Sequence, residues 1–475
     1  MNRPSRGRYA IAGLLVVVLL MGPSYAANPS SSSRHLPASG TCGSKYQGKR
    51  LSATTLEHIL HAHGRWLVNG EGEAAQRADL CRADLHGAKL FGANLERAHL
   101  EGVILRGANL GKASLVQAHL VSSDLSQAVL SEAYLIGADL RHAQLAKANL
   151  TLAAGDEAAL YDANLQGARL REATFERAHF EGANLQDADL GMANFVEAYF
   201  YGATLHHANL AGADLMGADL RKTDLQRANL RQSDLQGALL DSADLQGAHL
   251  VEAVFDSAYL EDANLAKANL QQASFRGADL RNVNLTATQL QKADLEGANL
   301  EGATLSTSNL ERASLKMAIL YRARLHGARL VQVNLHRAVM IGADLTGANL
   351  HHADLTEAHL PKATLRDAQL REASLEGANF VAADLRGANV EGANLTHANL
   401  QEADLRDASF ASADFSGARL DNAILERSDL RGANLSVVVG LTQAQLNGAC
   451  VDDNTKLPPT LTKPQPCRTP TRSKR

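Results

Sequence analysis

Residues 78–100 read ADLCRADLHGAKLFGANLERAHL, with Leu80, Leu85, Leu90, Leu95 and Leu100 spaced five apart. The same spacing continues unbroken to Leu435. Of the 72 positions so defined, 60 are Leu and nine are Phe; Met340, Val390 and Gly155 complete the set. Two residues before each, 63 positions hold Ala, and the other nine hold Ser, Thr or Val. The residue between is often Asp or Asn, as in Ala83-Asp84-Leu85 and Ala93-Asn94-Leu95. A helix would rotate successive Leu residues by about 500°, so no apolar face forms. A plain strand repeats every two residues and fails as well. Extended segments broken by a turn every five residues satisfy the pattern. Leu and the Ala two before it then point to the same side, and the polar residues face out.

This A-[DN]-L-x-x signature resembles that of the pentapeptide-repeat family, and it covers about three-quarters of the chain. The resemblance implies an all-β fold, a right-handed quadrilateral parallel β-helix with four pentapeptides per 20-residue coil. Seventy-two units make about 18 coils, a solenoid roughly 85 Å long at the interstrand spacing of about 4.8 Å. Arranged in columns of 20, Phe175, Phe195, Phe255, Phe275 and Phe415 share one side with Gly155, and Phe180, Phe200 and Phe380 share the next. Such columns predict stacked rings. Gly155 reads as a packing defect with a local bulge, into which Phe175 leans.

The flanks differ from the repeats. Arg3, Arg6 and Arg8 precede an apolar run of 13 residues, Tyr9 to Met21, and Ser24-Tyr25-Ala26 offers small residues for cleavage. That run is shorter than the roughly 17–25 residues of a membrane span. The sequence therefore divides into a signal peptide at 1–26 and a flexible leader at 27–50. An N-terminal helical cap at 51–75, the repeats at 76–435 and a C-terminal cap helix with its tail at 436–475 follow. Leu56, Ile59, Leu60, His63 and Leu67 recur at helical spacing, with Trp66 beside them. Ala62 to Leu67 resembles the helix that often precedes repeats in this family. Thr442 and Gln445 form a capping box, with Leu441 and Leu446 as its apolar staple.

Four cysteines sit at the ends: Cys42, Cys81, Cys450 and Cys467. An even number beside an export signal favours disulfides. The length implied for the solenoid separates its two ends, leaving Cys42–Cys81 and Cys450–Cys467 as the pairings.

No phosphate-binding loop, nucleophile elbow or zinc-protease motif is present, and no insertion interrupts the coils to build a cleft. The reading is therefore a non-enzymatic protein without cofactor. A weak metal candidate is the outward column Asp79, His99, His119 and Asp139, one coil apart. Tyr161, Tyr199, Tyr201, Tyr259 and Tyr321 share that outward side as a candidate contact patch. Charge is uneven. Residues 76–435 carry 33 Lys and Arg against 46 Asp and Glu, a net −13. By side, counted from each Ala to the residue before the next, the totals are −9 on the Leu95 side and −5 on the Leu80 side. The Leu85 side has −2 and the Leu90 side +2. Aligned carboxylates sum their potentials, so Glu176, Glu197, Asp214 and Asp234 mark a candidate edge for a cationic protein partner. The function expected is an exported scaffold, periplasmic or secreted, with no stable membrane span after cleavage and no nucleic acid bound. The alternatives are the DNA mimicry known in some family members, and a secreted effector or metal-binding surface. Those DNA-mimicking relatives are cytoplasmic, shorter and interrupted by loops, unlike this chain.

Overall fold

Four of the five backbone N–H groups of a repeat unit are placed in one way along the ladder, and the unit around Leu265 shows them together with the fifth. Asn264 N donates to Ala243 O of the preceding coil at 2.9 Å, while Leu265 N and Lys267 N donate to Asn284 O and Thr286 O of the next, at 2.8 and 2.9 Å. Ala268 N closes a β-turn on Leu265 O at 3.0 Å. The fifth group, Ala266 N, has no place in the ladder and donates to the Asn264 side-chain oxygen at 3.2 Å. A short acceptor two residues before that N–H is what Asp and Asn supply. This is why the repeat prefers them. The same contact recurs at Asp84, Asn94, Asp234, Asn299 and Asn399.

Those bonds are seen in a computed structural model that describes residues 42–70 and 76–464. The described residues from Gly43 onward belong to one compact unit, and all the structure below except Cys42 lies in it. The expected signal peptide lies outside the described residues. Parallel bridges join residue i to i+20 without a slip from Asp79↔His99 to Arg419↔Val439. The turns are equally regular. At all 71 positions from Arg82 to Gly432 the third turn residue has φ between 53° and 72°; 23 are glycine and 48 are not. Negative φ at the second turn residue with positive φ at the third is the sign pattern of a type II turn.

Inside, the Leu and Phe column residues are essentially unexposed, with the Ala residues beside them. Removing such a side chain from water stabilises by about 1.5–3 kcal/mol. Where Ser or Thr replaces the inward Ala, the buried hydroxyl needs an acceptor. Thr223, Ser233, Thr288, Ser308 and Ser428 each donate to the carbonyl three residues back, at 2.5–2.8 Å. The Phe columns stack as expected. Phe180–Phe200 and Phe255–Phe275 lie 4.8 and 4.7 Å apart and nearly parallel. Phe175 and Phe195 pack edge-on against the first of these pairs. No bulge accompanies Gly155, contrary to expectation. Ala154 bridges Thr174 in register, and Gly155 N donates to Thr174 O at 2.7 Å.

Helix α1 spans Ala53–Asn69, capped by the Ser52 side chain, which accepts from Thr55 N. Gly70, at φ 75°, ends it by donating to Trp66 O. Leu56 and His63 are its buried residues. Residues 44–50, assigned to the leader by sequence, instead engage the first coil. Arg50 bridges Asp84, and Ser44 Oγ donates to Asp79 O at 2.8 Å. Helix α2, Gln443–Asn447, has the expected reciprocal capping box between Thr442 and Gln445. Beyond it the tail resumes the ladder in a longer register, with Asp429↔Cys450 and Asn434↔Lys456.

Candidate interaction surface

Four outward sides follow from the 20-residue register, and each carries one column between its inward residues. On the Leu95 side, Asp214 and Asp234 are bridge partners in adjacent coils. Each uses Oδ1 to accept the N–H two residues on, at 3.1 and 3.0 Å. Glu176 accepts from Asn194 Nδ2 at 2.7 Å. Glu197 occupies a left-handed turn position, φ 56°, and is exposed. None of these four carboxylates has an ion-pair partner among the described residues. Further along the same side the situation changes. Asp294 pairs with Arg276, Glu296 with Lys316 and Glu357 with Arg337. The four sequence candidates therefore keep their charge unpaired among the described residues, as do Asp354, Glu376 and Asp414 further along, while Asp294, Glu296 and Glu357 are neutralised.

The adjoining Leu80 side is aromatic at the same level. Tyr161, His179 and Tyr199 form a continuous stack, with ring centroids 4.9 and 4.6 Å apart. Its register follows from the coil spacing, since Ala159 leaves room for the Tyr161 ring to lean over His179. Burial first, then the neighbouring Glu181 carboxylate, pushes the Tyr161 hydroxyl up to about 12. His179 Nδ1 lies 3.0 Å from Glu181. Tyr201 has Arg221 and Lys222 over its ring at 5.9 and 5.4 Å. Tyr199, Tyr201 and Tyr259 stay open to solvent. Three arginines on this side fold back onto the aspartate two residues before them: Arg141 on Asp139, Arg221 on Asp219 and Arg281 on Asp279. Sequence reading counted these charges but could not see them paired locally.

The metal candidate does not assemble. His99 and His119 meet edge-on at 5.4 Å, and both are held below the ordinary histidine range, by burial first and then by Arg77. Both oxygens of Asp139 are taken by Arg141 at 2.7 and 2.6 Å, and Asp79 Oδ1 accepts Cys81 N at 3.3 Å. Among the described residues no group of three or more His, Cys, Asp and Glu stands at metal-binding distance. Cys42, Cys81 and Cys450 are each disulfide-bonded; Cys467 lies outside the described residues. No helix among the described residues is long and apolar enough to cross a membrane.

A family model of pentapeptide repeats matches thirteen segments between residues 75 and 436, leaving only 152–157 and 196–197 between them. The chain belongs to the pentapeptide-repeat family. As a pentapeptide-repeat protein it has a right-handed β-helix, and the first gap in the match holds Gly155. Solved structures similar to this pentapeptide-repeat chain include HetL from Nostoc sp. strain PCC 7120, described as involved in heterocyst differentiation regulation. It is 35% identical over 47% of this chain and 88% of its own, with a TM-score of 0.23. QnrB1, a plasmid-mediated fluoroquinolone resistance protein, is 17% identical over 42% of this chain and 90% of its own, at 0.24. A pentapeptide-repeat protein of the Arabidopsis thaliana thylakoid lumen is 28% identical over 18% of this chain and 63% of its own, at 0.16. Superpositions this partial carry no argument about function. No curated protein matches significantly.

Proposed function

We propose that this pentapeptide-repeat protein is a non-enzymatic exported scaffold, periplasmic or secreted, of about 18 coils closed by α1 and α2. Its partner is a cationic protein, which docks along the edge between the Leu95 and Leu80 sides. The observation that carries this reading is the run of carboxylates without ion-pair partners at Glu176, Glu197, Asp214 and Asp234, beside the open rings of Tyr199 and Tyr201. Aligned like charges on a rigid surface attract an opposite charge, while the rings supply apolar contact. A backbone bonded coil to coil does not need to order on binding, which lowers the entropic cost of association. Export and cross-links belong together in this reading, with a mature chain beginning at Ala27 and pairings Cys42–Cys81 and Cys450–Cys467.

The test is capture from envelope fractions by immobilised mature protein, compared with two charge-reversed variants. Glu176, Glu197, Asp214 and Asp234 reversed to Lys should abolish capture with the melting temperature nearly unchanged. Reversal of Glu132, Glu172, Glu252 and Glu372 on the Leu90 side should leave capture intact. Equal behaviour of the two sets, or capture that survives high salt, removes the edge from the account.

A further inference from the structure

His63 of α1 is the one fully buried histidine among the described residues. It bonds the helix to the first coil, Ala78 N donating to His63 Nδ1 at 3.1 Å, beside the apolar packing of Leu56, Ile59 and Leu60. A ring nitrogen that accepts is unprotonated, so the neutral ring carries its proton on Nε2. That second nitrogen is buried and makes no hydrogen bond of good geometry, although the Glu96 backbone favours a proton on the ring. The imidazole stacks on Trp66 at 5.5 Å and 14°, and Trp66 is the only tryptophan in the chain. Two charged groups of the first coil face the ring. Arg77, whose guanidinium lies over Trp66 at 5.8 Å, opposes a positive charge on His63, and Glu96 favours one.

We propose that the seating of α1 on the first coil is pH-sensitive through His63, held while the ring is neutral and released when it is protonated. Protonation at Nδ1 sets an N–H against the Ala78 N–H, so the acceptor is lost and a buried cation is left beside Arg77. Burial is the first cause holding this histidine below its ordinary range; the Glu96 backbone opposes it, Arg77 adds to it and the Glu96 carboxylate opposes it again. With the seated value depressed, the released helix binds the proton more readily. Seating is therefore complete above the ordinary histidine range, around pH 6.5. It weakens as the pH falls from there toward the depressed value, by up to about tenfold per pH unit. Release bares the first coil at Lys89 and Asn94, which residues 44–50 do not bridge, and an unpaired β edge of this kind accepts an added strand.

Trp66 gives the readout. In the full mature chain, acrylamide quenching of its fluorescence should increase between pH 7.5 and pH 5, and the far-UV spectrum should hold. His63→Asn keeps a side-chain acceptor for Ala78 N–H but does not titrate, so its quenching should be flat. Amide exchange in the wild type, corrected for intrinsic rates, is the second measurement and does not depend on that variant folding. Protection of the 58–80 segment should fall at pH 5 while that of 258–280 persists. Quenching that ignores pH, a transition that persists in His63→Asn, or simultaneous loss of the far-UV signal would each overturn the proposal.

Discussion

The Phe175 ring fills the space that a side chain on Gly155 would take in the coil below. A Cβ built on Gly155 would lie 2.1 Å from Phe175 Cε1. Gly155 is not in the left-handed region, so the requirement for glycine here is space alone. The ring leans down one coil, and its stacking distance to Phe195 opens to 6.2 Å as a result. The two residues form one packing unit, in which the bulk missing from one position is supplied by the next.

Gly155→Ala should therefore destabilise by about 1–3 kcal/mol, the usual cost of overpacking a close-packed core. Adding Phe175→Leu, which restores the residue most common in these columns, should recover most of that loss. A double-mutant cycle by chemical denaturation measures the coupling. Additive effects would mean that the ring and the glycine are independent.

Ser123 gives the opposite sign. It occupies an inward Ala position and is fully buried, yet its hydroxyl finds no acceptor. Five other Ser and Thr residues at equivalent positions do find one. Ser123→Ala should stabilise by about 1 kcal/mol, the low end of the cost of an unsatisfied buried donor. Ser233→Ala, which removes a bond of 2.7 Å to Leu230 O, should not stabilise. Midpoints of thermal unfolding for the two variants decide the matter, and a matched rise in both would refute the distinction.

The five-residue phase, the two Phe columns and the ring leaning toward Gly155 were legible because each is written in side-chain size at fixed spacing. The capping box at Thr442 was legible for the same reason, since its two residues are local. Other features depend on what the backbone leaves over. The preference for Asp and Asn became intelligible only when the ladder showed Ala266 N and its equivalents without a backbone acceptor. The left-handed turn position was missed although 23 of the 26 glycines in residues 76–435 sit there, because 48 other residues, Lys267, Leu152 and Glu197 among them, hold it too. The engagement of Arg50 with Asp84 was missed because residues 44–50 carry no repeat signature. On the surface, charge totals located Glu176 and Asp214 but could not show that Asp139 and Asp279 are neutralised by their own neighbours.

The central claim is that a 20-residue register organises the repeats, placing each of their core residues and outward columns. The most direct measurement compares two insertions after Ala268 by thermal unfolding with residue-level amide exchange. One is a duplicate of residues 249–268, a whole coil; the other is a single alanine. The duplicate keeps each Leu inward and each bridge in its column, so it should melt at or above the wild-type temperature with protection intact. The single residue turns the following side chains to the wrong face and should cost several kcal/mol, with protection lost around the insertion. Equal tolerance of both insertions, or equal damage from both, would contradict the account.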